Sequence, residues 1–255
     1  MAKTIKWVAA FDTHGDMIDR EAEKVFFNFV AGFKPDLRIH GGDVFDMRTL
    51  RANVNESERT ESLKEDVEAG IAFLRRFEAK VLMMGNHDHR LIRAIRNRGS
   101  GNTRLLASML WDSVLDRLPD LKIMPYTVRG GIFTLGNLSI LHGFHMGKYA
   151  PQESAALCVS SALMGHIHTE MSLTAANCKT HVGYSSGCLC RLDMEYAETW
   201  ARNLRWSHGF AFGYSRGGET SVYFVNKRNG QWNDKQMKGV ANAVYDGGKG
   251  TQTSN

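Results

Sequence analysis

Five short turns of this 255-residue sequence gather carboxylate, imidazole and amide side chains. Such a mixed set of oxygen and nitrogen donors suits divalent first-row transition ions better than calcium or a thiolate-rich site would. Glycines beside these residues allow tight turns and close approach of the backbone to a metal or a phosphate. The five turns are Asp12-Thr13-His14, Gly42-Asp43-Val44-Phe45-Asp46, Gly85-Asn86-His87-Asp88, His142-Gly143 and Gly165-His166-Ile167-His168.

The number and the type of these donors imply two metal ions. Asp43 is expected to bridge the ions, because the two oxygens of one carboxylate can serve two cations. The first ion would be held by Asp12, His14, Asp43 and His168, and the second by Asn86, His142 and His166 together with Asp43.

Each of these residues has an ordinary structural interpretation when it is taken alone. Asp12 could cap the helix that follows it, and His142 could be a hydrogen-bonded histidine of the core. Together these interpretations fail, because a cluster of carboxylates and histidines without a counter-ion would bury unpaired charge at a cost of several kcal/mol. We therefore favour the metal site.

Each of the five turns is expected to follow a strand. Apolar runs predict strands at residues 4–11, 37–40, 80–84, 138–141 and 162–164. In an open α/β sheet, the loops beyond the carboxyl ends of the strands converge on one crevice, so residues distant in sequence become neighbours. The pattern therefore predicts an α/β fold that brings the five turns together.

Apolar residues three or four positions apart predict three helices. The first spans about residues 19–33 and the third about residues 103–118. The second has Asn55 as its N-cap, with Glu58 in a capping box, and runs to Phe77. The alternating residues 220–225 predict strands and hairpins of a second sheet. We expect one domain over residues 1–238 and a flexible tail over residues 239–255.

The composition is that of a globular protein, with 43% hydrophobic and 23% charged residues. No run approaches the ~20 apolar residues that span a bilayer, and residues 1–12 lack the pattern of a signal peptide. We therefore expect a cytoplasmic protein that does not enter a membrane. The four cysteines are too few for a disulfide scaffold, and buried or incidental thiols are the favoured interpretation.

The net charge of +5 comes from the C-terminal segment. Residues 200–255 contain 8 Lys and Arg against 3 Asp and Glu, which leaves 24 of each class in residues 1–199. The segment also mixes aromatic and basic residues, from Trp200 and Arg202 to Arg228 and Trp232. Rings beside cations would suit single-stranded nucleic acid. We favour the alternative that the rings close the core of the second sheet while the charges stay solvated.

In sequence order, the motifs D-x-H, GD-x-x-D, GNHD, H and GH-x-H resemble those of the calcineurin-like metallophosphoesterase superfamily. The resemblance covers residues 12–168 and implies a four-layer αββα sandwich of two mixed β-sheets flanked by helices. It also implies two divalent transition-metal ions, with Mn²⁺ expected and Fe, Zn, Ni or Co as alternatives. The implied metal ligands are again Asp12, His14, Asp43, Asn86, His142, His166 and His168.

The resemblance leaves His87 outside the metal ligands and implies that it faces the substrate. Asp46 is similar to the aspartate that orients this histidine in the phosphatase branch. The implied reaction is an in-line attack on phosphorus by a hydroxide that bridges the two ions. His87 would protonate or stabilise the leaving oxygen.

The sequence departs from the phosphoprotein phosphatase branch at two positions. That branch typically reads GD-x-x-DRG and GNHE, whereas this chain has Arg48 two residues after Asp46 and has Asp88 in the second motif. The arginine that clamps phosphate is thus displaced, and Arg48, Arg90 and His145 are the candidate substrate contacts. GNHD looks more like the phosphodiesterase and SbcD-type nuclease branches.

The sequence therefore predicts a metal-dependent phosphodiesterase that acts on a nucleotide or a nucleic acid, and it is a candidate nuclease. The first alternative is a phosphomonoesterase, such as a protein phosphatase. An alternative of another class is an interaction module that binds metal but is catalytically silent. The sequence leaves the natural substrate and the oligomeric state open.

Overall fold

Two mixed β-sheets pack face to face between layers of helices in the computed structural model of the chain. The structure describes residues 2–51, 61–96, 101–176, 178–194 and 205–239. The helices are α1 (Arg20–Phe33), α2 (Leu63–Phe77), α3 (Asp88–Arg96), α4 (Gly101–Arg117) and α5 (Ala150–Cys158). The strands are β1 (Ile5–Ala10), β2 (Leu37–His40), β3 (Val81–Met83), β4 (Lys122–Met124), β5 (Ile132–Leu135), β6 (Leu138–Leu141), β7 (Ser161–Met164), β8 (Glu170–Ala175), β9 (Cys178–Ser186), β10 (Gly209–Arg216), β11 (Glu219–Thr220), β12 (Tyr223–Arg228) and β13 (Gln231–Trp232).

The first sheet has the strand order β13-β12-β10-β1-β2-β3-β4, with β11 paired to β10. Strands β1 to β4 are parallel, whereas β10 runs antiparallel to β1. The prediction that residues 220–225 belong to the second sheet is wrong, because β12 pairs with β10 in the first sheet. Local alternation predicts a strand but does not choose its partner, and β10 pairs with β1, more than 200 residues away in sequence.

The second sheet has the strand order β5-β6-β7-β9-β8. Strands β6, β7 and β9 are parallel, and β5 and β8 are antiparallel to their neighbours. Both sheets are therefore mixed. Helix α1 packs on the outer face of the first sheet and α5 on that of the second, so the predicted αββα sandwich is confirmed.

Side chains that alternate along β1 divide the hydrophobic core into layers. Trp7 lies between the sheets in a cluster with Ile140 of β6. Val8 points to the other face and lies beneath α1 in a cluster with Phe26. A third cluster joins α2 and α4 to Leu82 of β3, and a fourth lies under α5. The strands that carry the polar turns are thus fixed from both faces.

The C-terminal aromatic residues close the core of the first sheet. Phe210 and Phe212 of β10 are fully buried. Their rings lie 5.0 Å from Phe26 and 4.8 Å from Phe29 of α1. The core interpretation of these rings therefore holds, but the sheet that they cover is the first and not the second. Other residues of that aromatic and basic segment, Trp200 and Arg202 among them, lie outside the described residues.

The predicted helices differ from the observed ones mainly at their ends. Helix α1 begins after Asp19, whose side chain accepts a hydrogen bond from the backbone N–H of Ala22 at 2.8 Å. Helix α2 begins after Ser62, so Asn55 is not its N-cap, and Asn55 and Glu58 lie outside the described residues. The sequence pattern does not predict α3, because arginines separate its few apolar residues.

Two expectations about the chain as a whole stay predictions. Residues 240–255 lie outside the described residues, so neither the domain boundary at residue 238 nor the flexible tail is tested. Within the part of the chain that the structure describes, no helix combines the length and the apolar composition needed to cross a lipid bilayer.

Parallel pairing brings the ends of the strands to one edge of the two sheets. Ala10 of β1 pairs with His40 of β2, and His40 pairs with Leu82 of β3. In the second sheet, Ile140 of β6 pairs with Leu163 of β7. The turns that follow these strands therefore start at the same level, which is the convergence that the sequence predicts.

We expect Phe26→Ala to lower the free energy of unfolding by about 3–5 kcal/mol. The substitution removes a fully buried ring that packs against Phe73, Phe77 and Phe210. Urea denaturation followed by circular dichroism measures the change. Asn28→Ala on the exposed side of the same helix is the control, with an expected change within about 0.5 kcal/mol. Equal losses for the two variants would contradict this account of the core.

Candidate metal centre

Four of the predicted ligands form the first half of a buried cluster. The Nε2 atoms of His14 and His168 are 3.2 Å apart. Nε2 of His168 is 3.6 Å from Oδ1 of Asp12, and Nε2 of His14 is 3.9 Å from Oδ2 of Asp43. None of the four residues is more than 3% exposed. Their donor atoms therefore face one small volume at the edge of the first sheet.

The remaining predicted ligands lie on the other side of Asp43. Nε2 of His142 is 3.2 Å from Oδ2 of Asp43 and 3.1 Å from Oδ1 of Asn86. The ring of His166 lies 5.1 Å from that of His142, and Asp43, His142 and His166 bring donor atoms within 4.8 Å of one another. Oδ2 of Asp43 thus faces both halves, as a bridging carboxylate would.

The donor atoms of the cluster fit divalent metal ions. They are imidazole nitrogens, carboxylate oxygens and one amide oxygen, which is a set that first-row transition ions bind. Among the described residues, three buried or half-buried groups come close enough to share an ion. These groups are His14, Asp43 and His87; Asp43, His142 and His166; and His14, His168 and Cys190.

The two carboxylates at the centre are held in their ionised form. Burial alone would raise the pKa of Asp12 and of Asp43. Both pKa values are nevertheless lowered, that of Asp12 chiefly by His168 and that of Asp43 chiefly by His142. The fold therefore offers negatively charged oxygens at neutral pH, which is the form that binds a cation.

Two histidines of the cluster carry protons when no cation is bound. Burial alone would lower the pKa of His142, but the charge of Asp43 raises it to about 9. Burial alone would also lower the pKa of His168, but the charge of Asp12 raises it to about 9. By contrast, burial and the neighbouring His142 lower the pKa of His166 to about 4. Protons on His142 and His168 thus balance the buried carboxylates as bound cations would.

Five of the predicted ligands adopt the left-handed backbone conformation. This conformation is uncommon for residues with a side chain and costs of order 1–3 kcal/mol at each position. It reverses the chain directly after each strand, so that the side chain is held at the sheet edge. The φ angles are 53° for Asp12, 50° for His14, 50° for Asp43, 71° for His166 and 54° for His168.

Asp46 joins a predicted metal ligand to the candidate catalytic histidine. Its Oδ1 accepts hydrogen bonds from Nδ1 of His14 and from Nδ1 of His87, both at 2.8 Å. Burial would raise the pKa of Asp46, but these two hydrogen bonds hold it well below its ordinary value. One buried carboxylate therefore fixes both rings, and Nε2 of His87 lies 4.0 Å from Oδ2 of Asp43.

Arg90 lies against the ring of His87. Its Nη1 is 3.1 Å from Nδ1 of His87, and its Nη2 is 3.2 Å from Nε2. Nη1 also donates a hydrogen bond to the backbone oxygen of Asp46 at 2.9 Å. The structure thus fixes a positive charge beside the candidate catalytic histidine.

The other two candidate substrate contacts lie in different surroundings. Arg48 is 7% exposed and donates to both oxygens of Asp16, at 2.8 and 2.7 Å, and it also pairs with Glu61. Its guanidinium is therefore occupied by carboxylates. His145 is half-buried and lies 3.4 Å from Glu153. Roles for Arg48 and His145 in substrate binding stay predictions.

Asp66 of α2 holds the turn that carries Asp46, a role that the motifs do not reveal. Its oxygens accept hydrogen bonds from the backbone N–H groups of Asp46 at 2.9 Å and Met47 at 2.6 Å. Burial, with the nearby charge of Asp46, raises the pKa of Asp66 to about 7. The available sequence signal is a charged residue beside Val67 and Gly70 on the buried face of the helix.

Asp88 likewise holds backbone groups in place, and it connects two of the ligand turns. Its oxygens accept hydrogen bonds from the backbone N–H groups of Phe45 at 2.9 Å and Gly85 at 2.8 Å. Burial, together with the charge of Asp43, raises its pKa to about 7. The GNHD motif contains this residue, so the sequence indicates its importance but not its contacts.

Tyr126 and Cys190 border the cluster and belong to none of the motifs. The hydroxyl of Tyr126 donates to the backbone oxygen of Gly143 at 3.0 Å, and its ring lies 5.9 Å from that of His142. Sγ of Cys190 is buried and lies 3.8 Å from Nδ1 of His168. Burial and the neighbouring Cys188 hold the pKa of Cys190 well above its ordinary value. No sequence signal places either residue here.

Comparisons with known proteins identify the fold. No family model matches the sequence, and a search of curated proteins finds no match. The structure of Vacuolar Protein Sorting 29 from Cryptosporidium parvum is similar at a TM-score of 0.51 and 12% identity, covering 90% of this chain and 95% of that one. The likeness shows that this chain has the calcineurin-like metallophosphoesterase fold.

Two further solved structures are similar at a TM-score of 0.38. YfcE, a phosphoesterase from E. coli, is 14% identical, covering 82% of this chain and 87% of its own. A predicted phosphoesterase from Streptococcus pneumoniae TIGR4 is 16% identical, covering 88% of this chain and 90% of its own.

Metal binding to the cluster is expected to release protons. His142 and His168 have pKa values of about 9, so both are protonated at pH 7 and must lose their protons to coordinate an ion. We expect about two protons to be released per protein at pH 7 and the metal affinity to rise with pH up to about 9. Titration calorimetry with Mn²⁺ in buffers of different ionisation enthalpy counts these protons. An enthalpy that is the same in every buffer would contradict the assignment.

Proposed function

We propose that this protein is a metal-dependent phosphodiesterase that acts on a nucleotide or a nucleic acid. The observation that carries the proposal is the buried cluster of donors with His87 held beside it by Asp46. Mn²⁺ is the expected metal. One ion would be held by Asp12, His14, Asp43 and His168, and a second by Asn86, His142, His166 and the shared Asp43.

Divalent ions bound in this cluster would neutralise phosphate oxygens and lower the pKa of a water molecule so that it can attack phosphorus. Side chains of the protein set the charge and the orientation of the metal-binding groups. Asp12 and Asp43 stay ionised, so they attract cations to the edge of the sheet. Asp46 accepts a hydrogen bond from Nδ1–H of His14, and this keeps Nε2 of that ring directed at the centre.

His87 is the candidate general acid. Its Nδ1 donates to Asp46, so Nε2 is the ring nitrogen left to act on the leaving oxygen, and Nη2 of Arg90 lies 3.2 Å from it before substrate binds. The backbone N–H of His87 donates to Oδ1 of Asp43 at 2.8 Å, so the main chain is tied to the centre as well. General acid catalysis of this kind contributes about 10²–10⁴-fold to the rate.

Arg90 is the substrate contact that the geometry favours among the three candidates. Its guanidinium lies beside both ring nitrogens of His87, so a phosphate that reaches this histidine also meets a positive charge. Arg48 carries the same charge but is paired with Asp16 and Glu61. We therefore assign the binding of a non-reacting phosphate oxygen to Arg90.

Two other functions fit the same fold. The monoesterase alternative lacks support at the position after Asp46, where the phosphatase branch has its arginine and this chain has Met47. The silent interaction module has one observation in its favour, the similarity to Vacuolar Protein Sorting 29, whose name describes sorting and not catalysis. The complete donor set and the placement of His87 favour the enzyme.

Hydrolysis of bis(p-nitrophenyl) phosphate and p-nitrophenyl phosphate by the Mn²⁺-loaded protein tests the proposal, because the two substrates share a leaving group. We expect the diester to be preferred. We expect His87→Ala to lower kcat about 10²–10⁴-fold, because the leaving oxygen loses its proton donor, while Mn²⁺ binding is retained. His181→Ala in β9 is the matched control and should leave kcat unchanged.

Other results would favour the alternatives. A monoester preference would replace the proposal with a phosphomonoesterase. Mn²⁺ binding without turnover of either substrate would favour the silent module.

Asp46→Ala should differ from His87→Ala in its effect on metal binding. The substitution removes the acceptor of both His14 and His87, so a predicted ligand and the general acid lose their orientation together. We expect Mn²⁺ affinity to fall about 10–100-fold, in addition to the loss of kcat. Titration calorimetry of the two variants measures the difference. Wild-type Mn²⁺ affinity in Asp46→Ala would refute this positioning role.

A further inference from the structure

One face of helix α3 extends away from the metal centre and bears positively charged side chains. It begins at Asp88, directly after Asn86 and His87, and positions 89, 93 and 96 share a face because they are four and three residues apart. Arg93 and Arg96 are exposed, and neither has a hydrogen bond or an ion pair with another described residue. This face therefore presents two cations to the solvent.

A row of rings joins this face to the second half of the cluster. The ring of His89 lies 5.9 Å from that of Tyr126. Tyr126 in turn lies 5.9 Å from the ring of His142 and 5.1 Å from that of Phe144. Three rings, inclined by 50° and 70° to their neighbours, thus connect a predicted metal ligand to the start of the basic face.

The basic residues of the C-terminal segment are differently placed. Lys227 lies 2.6 Å from Glu21, and Arg228 lies 2.7 Å from Glu170. Each of these two cations thus has a carboxylate partner on the protein. The exposed carboxylates on α4, Asp112 among them, form no such pair with the arginines of α3 in the described part of the chain. Lys227 and Arg228 therefore offer less free charge to a ligand than Arg93 and Arg96 do.

The distance from the metal centre to Arg96 indicates how long a ligand of this face must be. Arg96 lies eight residues along the helix from Asp88, which corresponds to about 12 Å at 1.5 Å per residue. A ligand whose reacting group lies at the centre must extend about that far to reach Arg96. It must also carry negative charge along its length and present flat groups to Tyr126. A nucleic acid strand has these properties, because its phosphates bind cations and its bases stack on aromatic rings.

We propose that the α3 face, formed by His89, Arg93 and Arg96 together with Tyr126, binds a single nucleic acid strand whose reacting diester lies in the metal centre. Arg93 and Arg96 contact phosphates beyond the reacting one, and Tyr126 stacks on a base between them. The inference rests on the proposed phosphodiesterase function and specifies its substrate class.

Binding of a fluorescent single-stranded DNA 12-mer to the metal-free protein, measured by anisotropy, tests the face without requiring catalysis. The variant Arg93→Gln/Arg96→Gln is compared with Lys3→Gln/Lys24→Gln, which removes the same charge from exposed positions elsewhere. We expect at least a tenfold loss of affinity in the arginine variant only. The slope of log affinity against log salt should fall in magnitude by about 1.4, since each lost phosphate contact contributes about 0.7.

Equal affinities of the two variants would overturn the proposal. So would competition by polyglutamate as effective as that by unlabelled DNA, because the face would then recognise acidic protein. His89→Ala provides a milder variant if the double substitution fails to fold, and it should weaken DNA binding at least twofold. An unchanged affinity in His89→Ala would count against the proposed face.

Hydrolysis by the Mn²⁺-loaded protein separates this inference from the proposed function. For the arginine variant, the ratio of kcat/KM for the DNA strand to that for bis(p-nitrophenyl) phosphate should fall at least tenfold, and for the lysine variant it should not change. A wild-type protein that hydrolyses the small diester but not DNA would overturn the inference and leave the phosphodiesterase intact. Arginine-dependent DNA binding without turnover of either substrate would support the face and refute the enzyme.

Discussion

The burial of negative charge at one edge of the sheets is the constraint on which the rest of the structure depends. Asp12, Asp43 and Asp46 are at most 1% exposed, and a carboxylate removed from water is stable only when cations or hydrogen bonds compensate it. The compensating histidines come from both sheets: His14 follows β1 of the first, and His142 and His168 follow β6 and β7 of the second. The face-to-face packing of the sheets is therefore what makes the cluster possible, and the left-handed turns are the local strain that this packing sustains.

The buried aspartates divide into two groups according to what they bind. Asp12 and Asp43 face histidines, and their pKa values are lowered. Asp66 and Asp88 accept backbone N–H groups instead, and burial raises their pKa values to about 7. A carboxyl group with that pKa is ionised only about half of the time at pH 7. The outer pair can thus hold the turns in place while adding less repulsion to the inner carboxylates than two full charges would.

The sequence predicts those parts of the site that local pattern determines. The ligand turns are predictable because each polar residue directly follows a short apolar strand, and parallel strands end at the same edge. The partner of β10 is not, since its pairing with β1 depends on contacts between the two ends of the sequence. Asp66 and Tyr126 escape prediction for the same reason, because their roles arise from contacts across the fold with Met47 and with the ring of His142.

Net charge is a poor guide to where this protein would meet a polyanion, because a cation attracts a ligand only to the extent that the fold leaves it unneutralised. Lys227 and Arg228 contribute to the C-terminal excess, yet each lies within 2.7 Å of a carboxylate oxygen. The short helix α3 has three arginines among its nine residues, and its one carboxylate, Asp88, is buried and bound to backbone N–H groups. The same hydrogen bonds that fix Asp88 in the ligand turns withdraw its charge from the surface of α3. Within the described residues, Arg93 and Arg96 therefore remain exposed and without a carboxylate partner.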